Sequence, residues 1–410
     1  MKYVQEIVKK QVRSAAQPLR FFSSDRLDQI TYASLLVMLA VIPFAKAVIE
    51  IYLFIGVAAW LLRKIIDRDL FLRQVPFKGI YILYILACAI SVFNSEYLAA
   101  SLRGIQKVTK YFLLYCAAAE TFTTKERVNY AIKVVLISAV LGCFDGFYQY
   151  WTGWNFRHSR DFLLDQNVRR ISATFNHPNN FGAYLLTVIT IALFSEQVGA
   201  KRFFKISVAT LAFITLMLTE SRSSLIVLIF ILAFGSLFRN SNRLFVLSFL
   251  TLMCIWVAVR MGFDTQFGQR LITIRSGNER LFFWRIAVEM FMRHPLFGVG
   301  INSYMSNFPH QVGELRYVSL QSGAYAHSII FQVLAETGLS GLVALAVLLG
   351  NIFYKGWSAV FKNSLGGQCL IWSGLALFLH SCVETDLQSL QLSTFFWFLL
   401  GTLMGYSRSS

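Results

Sequence analysis

The sequence predicts an all-α polytopic membrane protein of about twelve transmembrane helices, and three observations predict it. Of 410 residues, 56% are hydrophobic and 14% charged, where a soluble domain carries about one quarter charged residues. Apolar runs follow one another from Tyr32 to Tyr406, each close to the roughly 20 residues a helix needs to cross a bilayer. Basic residues gather at alternate ends of those runs, as cytoplasmic connections do. The formal charge of +17 therefore belongs largely to membrane topology, and no nucleic-acid partner is expected.

The chain opens with Lys2, Lys9, Lys10, Arg13, Arg20 and Arg26 before any apolar core begins. A cleavable signal peptide would need such a core. Val4, Ile7, Val8 and Val12 share a helical face instead, so residues 1–30 read as a basic cytoplasmic segment lying against lipid. Residues 31–406 read as one helical domain. Its candidate spans are 31–47, 49–62, 76–93, 105–121, 130–150, 180–196, 203–219, 223–238, 243–260, 328–352, 367–383 and 389–406. The first two are short, and the fourth contains Lys107 and Lys110. Backbone groups in lipid must satisfy one another, so these runs are helices rather than loops.

Placing the N-terminus in the cytoplasm puts a series of basic connections on the same side. They hold Arg63, Lys64, Arg68 and Arg73, then Lys125 and Arg127, then Lys201, Arg202 and Lys205. Arg239 and Arg243, Lys355 and Lys362, and finally Arg408 complete the series. Both termini are thus expected inside. The six cysteines lie in or beside apolar runs with no C-x-x-C pair, so neither a zinc site nor a disulfide framework is indicated.

External loops 151–179 and 261–327 break the charge rule. The first carries Arg157, Arg160, Arg169 and Arg170; the second carries Arg270, Arg275, Arg280, Arg285, Arg293 and Arg316. Long loops escape the rule, which permits these arginines without explaining them. Arg157, Arg160 and Arg285 are therefore candidates for binding a multiply charged anion, because guanidinium forks match phosphate oxygens. A solvated, headgroup-facing loop is the plainer alternative.

Three constellations stand at the outer ends of the runs. In Thr219-Glu220-Ser221-Arg222-Ser223-Ser224 the serines can cap an incoming helix, whose N-terminus favours an anion beside Arg222. A snorkelling arginine without a ligand fits equally well. From Asn278-Glu279-Arg280 to Arg293-His294-Pro295, Leu281, Trp284, Val288 and Phe291 form one apolar stripe. Asn278 and Glu279 read as first-turn residues, and Pro295 with Gly298-Val299-Gly300 stops and turns the chain. His327 stands at the mouth of the tenth span, where an imidazole can take a hydroxyl proton or simply start a helix. Glu336, nine positions on, is an intramembrane carboxylate and a site candidate for that reason. His177, in Asn176-His177-Pro178-Asn179-Asn180, is a further binding candidate, although Pro178 and its asparagines suit a plain helix start. Glu384 and Asp386, between the last two runs, could orient arginines or bind an acceptor, although simple solvation is the plainer account. No G-x-x-x-x-G-K-S/T, H-E-x-x-H or G-x-S-x-G run is present, so nucleotide hydrolysis, zinc proteolysis and serine hydrolysis lack support.

With these pieces on the page, the chain resembles the O-antigen ligase and polymerase family of bacterial surface glycan assembly. The resemblance is carried by Gln149-Tyr150-Trp151-Thr152-Gly153, Thr174 through Asn179, Ser221-Arg222-Ser223, Arg280 with Trp284 through Gly300, and His327 with Glu336 through Gly341. It implies a metal-independent, cofactor-free, inverting glycosyltransferase of the all-helical membrane class, in a bacterial inner membrane with its active site on the periplasmic face. The implied donor is a glycan on undecaprenyl diphosphate, among membrane lipids. The family's paired arginines match Arg222 and Arg280, and its essential histidine matches His327, although Ser328 stands where an asparagine is common. The expected reaction is ligation of the glycan to lipid A–core. Polymerisation onto a second lipid-linked repeat is the alternative, and transport of an anionic solute is a third reading. Against transport, no internal repeat is evident and the polar cluster lies at one face.

Overall fold

A computed structural model describes the chain except for residues 1–22, 70–71, 157–162, 166–167, 196–201, 238–274, 313–324, 362–364 and 410. Thirteen α-helices stand among the described residues. They are α1 Ser24–Ala40, α2 Lys46–Ile66, α3 Lys78–Ser91, α4 Leu98–Thr121, α5 Lys125–Thr152, α6 Pro178–Phe194, α7 Arg202–Thr219, α8 Arg222–Leu237, α9 Arg275–Arg293, α10 Tyr304–Val312, α11 Ile329–Phe361, α12 Leu365–Ser381 and α13 Leu390–Ser409. Strands β1 Leu163–Asp165 and β2 Val168–Arg170 form a small antiparallel hairpin between α5 and α6, with Leu163 opposite Arg170.

The helix starts follow from local chemistry. Ser23 accepts from Arg26 N at 3.3 Å and Thr124 from Arg127 N at 3.4 Å, each relieving an unpaired first-turn amide. Gly153, at φ 81°, ends α5 in the left-handed region. Packing then assembles one bundle. α1 lies on α2, α4 on α13, α6 between α7 and α12, and α11 against α3 and α9. Its core includes Trp60, Tyr115, Phe181, Trp372 and Phe395, all fully buried. Large apolar side chains also cover the outside, Phe54, Ile226 and Phe203 among them, as on a surface that faces lipid.

The expectation of about twelve spans is overturned. Among the described residues three helices are long and apolar enough to cross a membrane: Lys125–Thr152, Arg202–Thr219 and Ile329–Ser358. Shorter apolar helices occupy Lys78–Asn94, Pro178–Phe194 and Arg222–Ser236. The reason lies in charge and length. α2 has the length of a span, but Lys46, Glu50, Arg63 and Lys64 interrupt it; in α4, Arg103, Lys107, Lys110 and Glu120 do the same. Those charges pair between helices, Lys110 Nζ with Glu50 Oε1 at 2.7 Å and Lys64 Nζ with Glu120 Oε2 at 2.6 Å. α1 and α12 have 17 residues each. The ninth candidate, 243–260, and most of the basic segment 1–30 lie outside the described residues. What remains is an all-α bundle with multiple apolar helices, a membrane protein of multi-pass character.

One irregularity positions the end of the bundle that carries His327. Within α11, Gly338 sits at φ 63° and ψ −161°, breaking the helix. In a continuous helix the amides of Leu339 and Ser340 would bond to the carbonyls of Ala335 and Glu336. Here Leu339 N donates to Pro295 O at 2.9 Å and Ser340 N to Leu296 O at 3.1 Å. Val299 N and Gly300 N take up the freed Ala335 and Glu336 carbonyls, each at 3.0 Å. The Pro295–Gly300 loop is thus spliced into the helix by four backbone hydrogen bonds. A Cβ on Gly298 would lie 2.4 Å from Glu336 C, and one on Gly338 2.5 Å from Leu296 C, so neither position has room for a side chain.

Candidate active site

The splice sets the start of α11, and with it His327. Glu336 is buried; its carboxylate accepts from Tyr304 N at 3.2 Å and from Gln332 Nε2 at 2.7 Å. Gln332 Oε1 in turn accepts from Ala326 N at 2.9 Å. Glu336, a sequence candidate for substrate binding, therefore ties the start of α10 to the residue before His327. It also lines a cleft with Lys107, Asn302 and Trp397.

His327 itself adopts φ 49°, a conformation unusual for a side chain of its size and found where structure over-determines the backbone. Its ring lies 5.3 Å from that of Phe283 on α9. Trp284, next along, stacks on Phe331 at 4.9 Å. This packing presses α9 against α11 and brings Arg280, one turn earlier, to the same place.

The centre of the site is Glu384, in the turn between α12 and α13. Only 4% of its side chain is exposed, and it accepts from Arg280 Nη2, from Asn179 Nδ2 at 2.7 Å and from His327 Nδ1 at 3.2 Å. Burial opposes its ionisation, but the His327 hydrogen bond and the Arg280 guanidinium outweigh burial and hold the carboxyl down at about 2. With Nδ1–H given to Glu384, a neutral His327 keeps its lone pair on Nε2. Nε2 has no hydrogen-bond partner among the described residues. The same carboxylate thereby orients an imidazole and tethers a guanidinium, and both side chains remain about 30% exposed on their outer faces.

Arg222 opens α8 at this end. Ser221 caps the helix, its Oγ accepting from Ser224 N at 3.4 Å, and Glu220 before it takes φ 51°. The half-buried Arg222 thus stands at a helix N-terminus, where backbone amides add to its charge. Behind it, Ser224 Oγ lies 2.9 Å from His380 Nε2, and His380 Nδ1 lies 2.6 Å from Asp386 Oδ2. Asp386 and Glu384 share one turn, so the Arg222 helix and the Arg280–His327 pair meet on residues 380–386. Arg170 extends the network, donating to Thr219 O at 3.1 Å and to Asn179 Oδ1 at 2.8 Å.

The remaining candidates fall elsewhere. Arg285 is 81% exposed and pairs with Glu289 one helical turn away at 3.1 Å. His177 caps α6, its Nδ1 accepting from Asn179 N at 3.1 Å. Arg157 and Arg160 lie outside the described residues. Glu384 and Asp386, for which solvation was the plainer account, are both buried, and Glu384 holds an arginine, the other role the sequence allowed; partners distant in sequence close over a turn that is polar only locally. Arg170 was counted only among the arginines of the first loop, while Asn179 escaped the sequence reading as a member of this site, and the Thr174–Asn179 motif was the signal that could have found it. Among the described residues no three His, Cys, Asp or Glu side chains gather as a metal ion would require.

Comparison with known proteins meets this geometry from α7 through α10 and the first part of α11. A family model for O-antigen ligase matches residues 207–346, about a third of the chain. That stretch contains Arg222, Arg280, His327 and Glu336 but stops short of Glu384. The chain is also similar to the exopolysaccharide production protein ExoQ of Rhizobium meliloti (strain 1021), 26% identical over 113 residues. The similarity spans 26% of this chain and 26% of that protein's length. The link is at the level of the O-antigen ligase and polymerase superfamily.

Proposed function

We propose that the protein is a membrane glycosyltransferase that lengthens a lipid-linked glycan, taking the growing chain from a polyprenyl diphosphate, as undecaprenyl diphosphate, and passing it to a hydroxyl of a second lipid-linked repeat. The observation that carries this reading is Glu384, whose one buried carboxylate joins the imidazole of His327 to the guanidinium of Arg280. The similarity to an exopolysaccharide production protein favours polymerisation over the ligation that the sequence first suggested.

The chemistry is a single displacement. The acceptor oxygen forms a bond to the anomeric carbon while the bond from that carbon to the diphosphate oxygen breaks, inverting the centre. The hydroxyl proton passes to His327 Nε2, and Glu384 stabilises the imidazolium that results. The leaving diphosphate carries away the electron pair. Arg222, at the N-terminus of α8, and Arg280 receive its charge, work that fixed donors perform without a metal. Arg280 needs its Glu384 tether for this, because a long side chain held in place loses less freedom on binding. The active site faces the periplasm and both termini face the cytoplasm in this reading.

A second reading, ligation to lipid A–core, is favoured by the description of the matching family model. Purified protein incubated with undecaprenyl-diphosphate-linked glycan alone separates the two. Elongated lipid-linked product is expected; product formed only after lipid A–core is added would make the protein a ligase. Passage of intact glycan across a vesicle, with no new glycosidic bond, would refute both in favour of transport.

A further inference from the structure

His380, Asp386, Ser224 and Ser221 form a second polar chain behind the proposed catalytic residues. His380, Asp386 and Ser224 are 0% exposed and Ser221 is 1% exposed. With Nδ1–H donated to Asp386 Oδ2 at 2.6 Å, His380 Nε2 accepts from the Ser224 hydroxyl at 2.9 Å. Ser224 Oγ lies 2.8 Å from Ser221 Oγ, and Ser381 Oγ donates to the same Asp386 oxygen at 3.3 Å. The arrangement has the connectivity of a nucleophile, base and acid. Yet Ser224, His380 and Asp386 are wholly buried, so a substrate has no access to Ser224.

Burying an imidazole, a carboxylate and two hydroxyls costs free energy that an apolar filling would avoid. What the four groups gain in return is a connection. Ser221 and Ser224 flank Arg222 at the start of α8; Asp386 shares its turn with Glu384. No room for adjustment exists on the far side, where a Cβ on Gly182 would lie 2.6 Å from Ser224 Oγ.

We infer that His380 is a positioning residue, which through Ser224 and Asp386 fixes the Arg222 helix against the Glu384 turn and so sets the spacing of the two arginines around a diphosphate. The inference rests on the reading of Arg222 and Arg280 as the diphosphate site. The ligand class is the same; the new element is a relay that never touches it.

The test is a double-mutant cycle on the full-length protein in lipid nanodiscs, read by undecaprenyl diphosphate binding and by initial transfer rates. His380→Gln weakens binding about tenfold when Arg222 is present and less than about twofold in the Arg222→Lys background, because the residue acts through that arginine. Ser224→Ala reproduces the loss with a melting temperature within a few degrees of wild type, which guards against a misfolded His380 variant. Equal losses in both backgrounds, or a lowered melting temperature with unchanged binding, would overturn the relay. A wild-type protein that neither binds undecaprenyl diphosphate nor transfers glycan sinks the transfer reading itself, and the relay with it.

Discussion

Glu120 and Glu384 are both buried carboxylates ringed by positive partners from distant parts of the chain, yet the two rings are built to different ends. At Glu120, near the C-terminus of α4, Arg63 bonds at 3.1 Å, Lys64 at 2.6 Å and the Trp60 indole at 3.0 Å. Each cation there has a second carboxylate: Asp28 for Arg63 and Asp69 for Lys64. Arg127 completes the group on Asp28. The charges balance and the side chains of Arg63 and Lys64 are 11% and 7% exposed. At Glu384 one carboxylate serves both Arg280 and His327, each left about 30% exposed, with Arg222 at the neighbouring helix start. A closed ring holds helices together; an open one, rich in positive charge, leaves room for an anion.

That contrast breaks most readily on activity. His327→Ala and Glu384→Gln should each lower glycan transfer by about three orders of magnitude, the middle of the range for a positioned base. Glu120→Gln should lower the melting temperature while leaving the rate per folded molecule within about threefold. A comparable rate loss from Glu120→Gln would erase the distinction between the two rings.

The splice offers the next test. Gly338→Ala places a side chain at positive φ and against the Leu296 backbone, a cost of roughly 2–4 kcal/mol. Calorimetric unfolding should show it, with transfer falling too because the start of α11 shifts. Unchanged unfolding would mean that the loop docks without the glycine.

Acid sharpens the comparison further. The carboxyl of Glu384 is lowered from 4.5 to about 2, so its share of the stability is complete above pH 4.5 and is lost as pH falls through 2. The difference amounts to roughly 3 kcal/mol. Thermal melts of wild type and Glu384→Gln across that window should converge at the acid end; parallel curves would refute the depressed value. The smallest effect belongs to Arg285→Ala, which removes an exposed pair and should change stability by less than about 0.5 kcal/mol. A large loss of transfer in that variant would restore Arg285 to the anion site.

Much of the candidate site's local structure was legible because its parts carry local signatures. Ser221 caps the helix that Arg222 opens, and the Leu281 stripe announced the helix that presents Arg280. The number of spans was not, since an apolar run reads alike whether it faces lipid or a neighbouring helix. Lys107 and Lys110 in the fourth run were the warning. Glu384 stayed hidden for another reason. Its partners Asn179, Arg280 and His327 are 205, 104 and 57 residues away, and its burial exists only once all three arrive. Likewise Gly298 reads as part of a turn and Gly338 as the interior of the tenth run, although each is required by the backbone of the other's segment.

The spliced loop has a consequence for how the chain is made. Synthesis runs from the N-terminus, so Val299 and Gly300 leave the ribosome before the Ala335 and Glu336 carbonyls that receive them. Until those carbonyls follow, the two amides lack their final acceptors, and Glu336 cannot anchor Gln332 beside Ala326. His327 is therefore synthesised before the scaffold that orients it, and the Glu384 cluster can form only after the first turns of α11 have emerged.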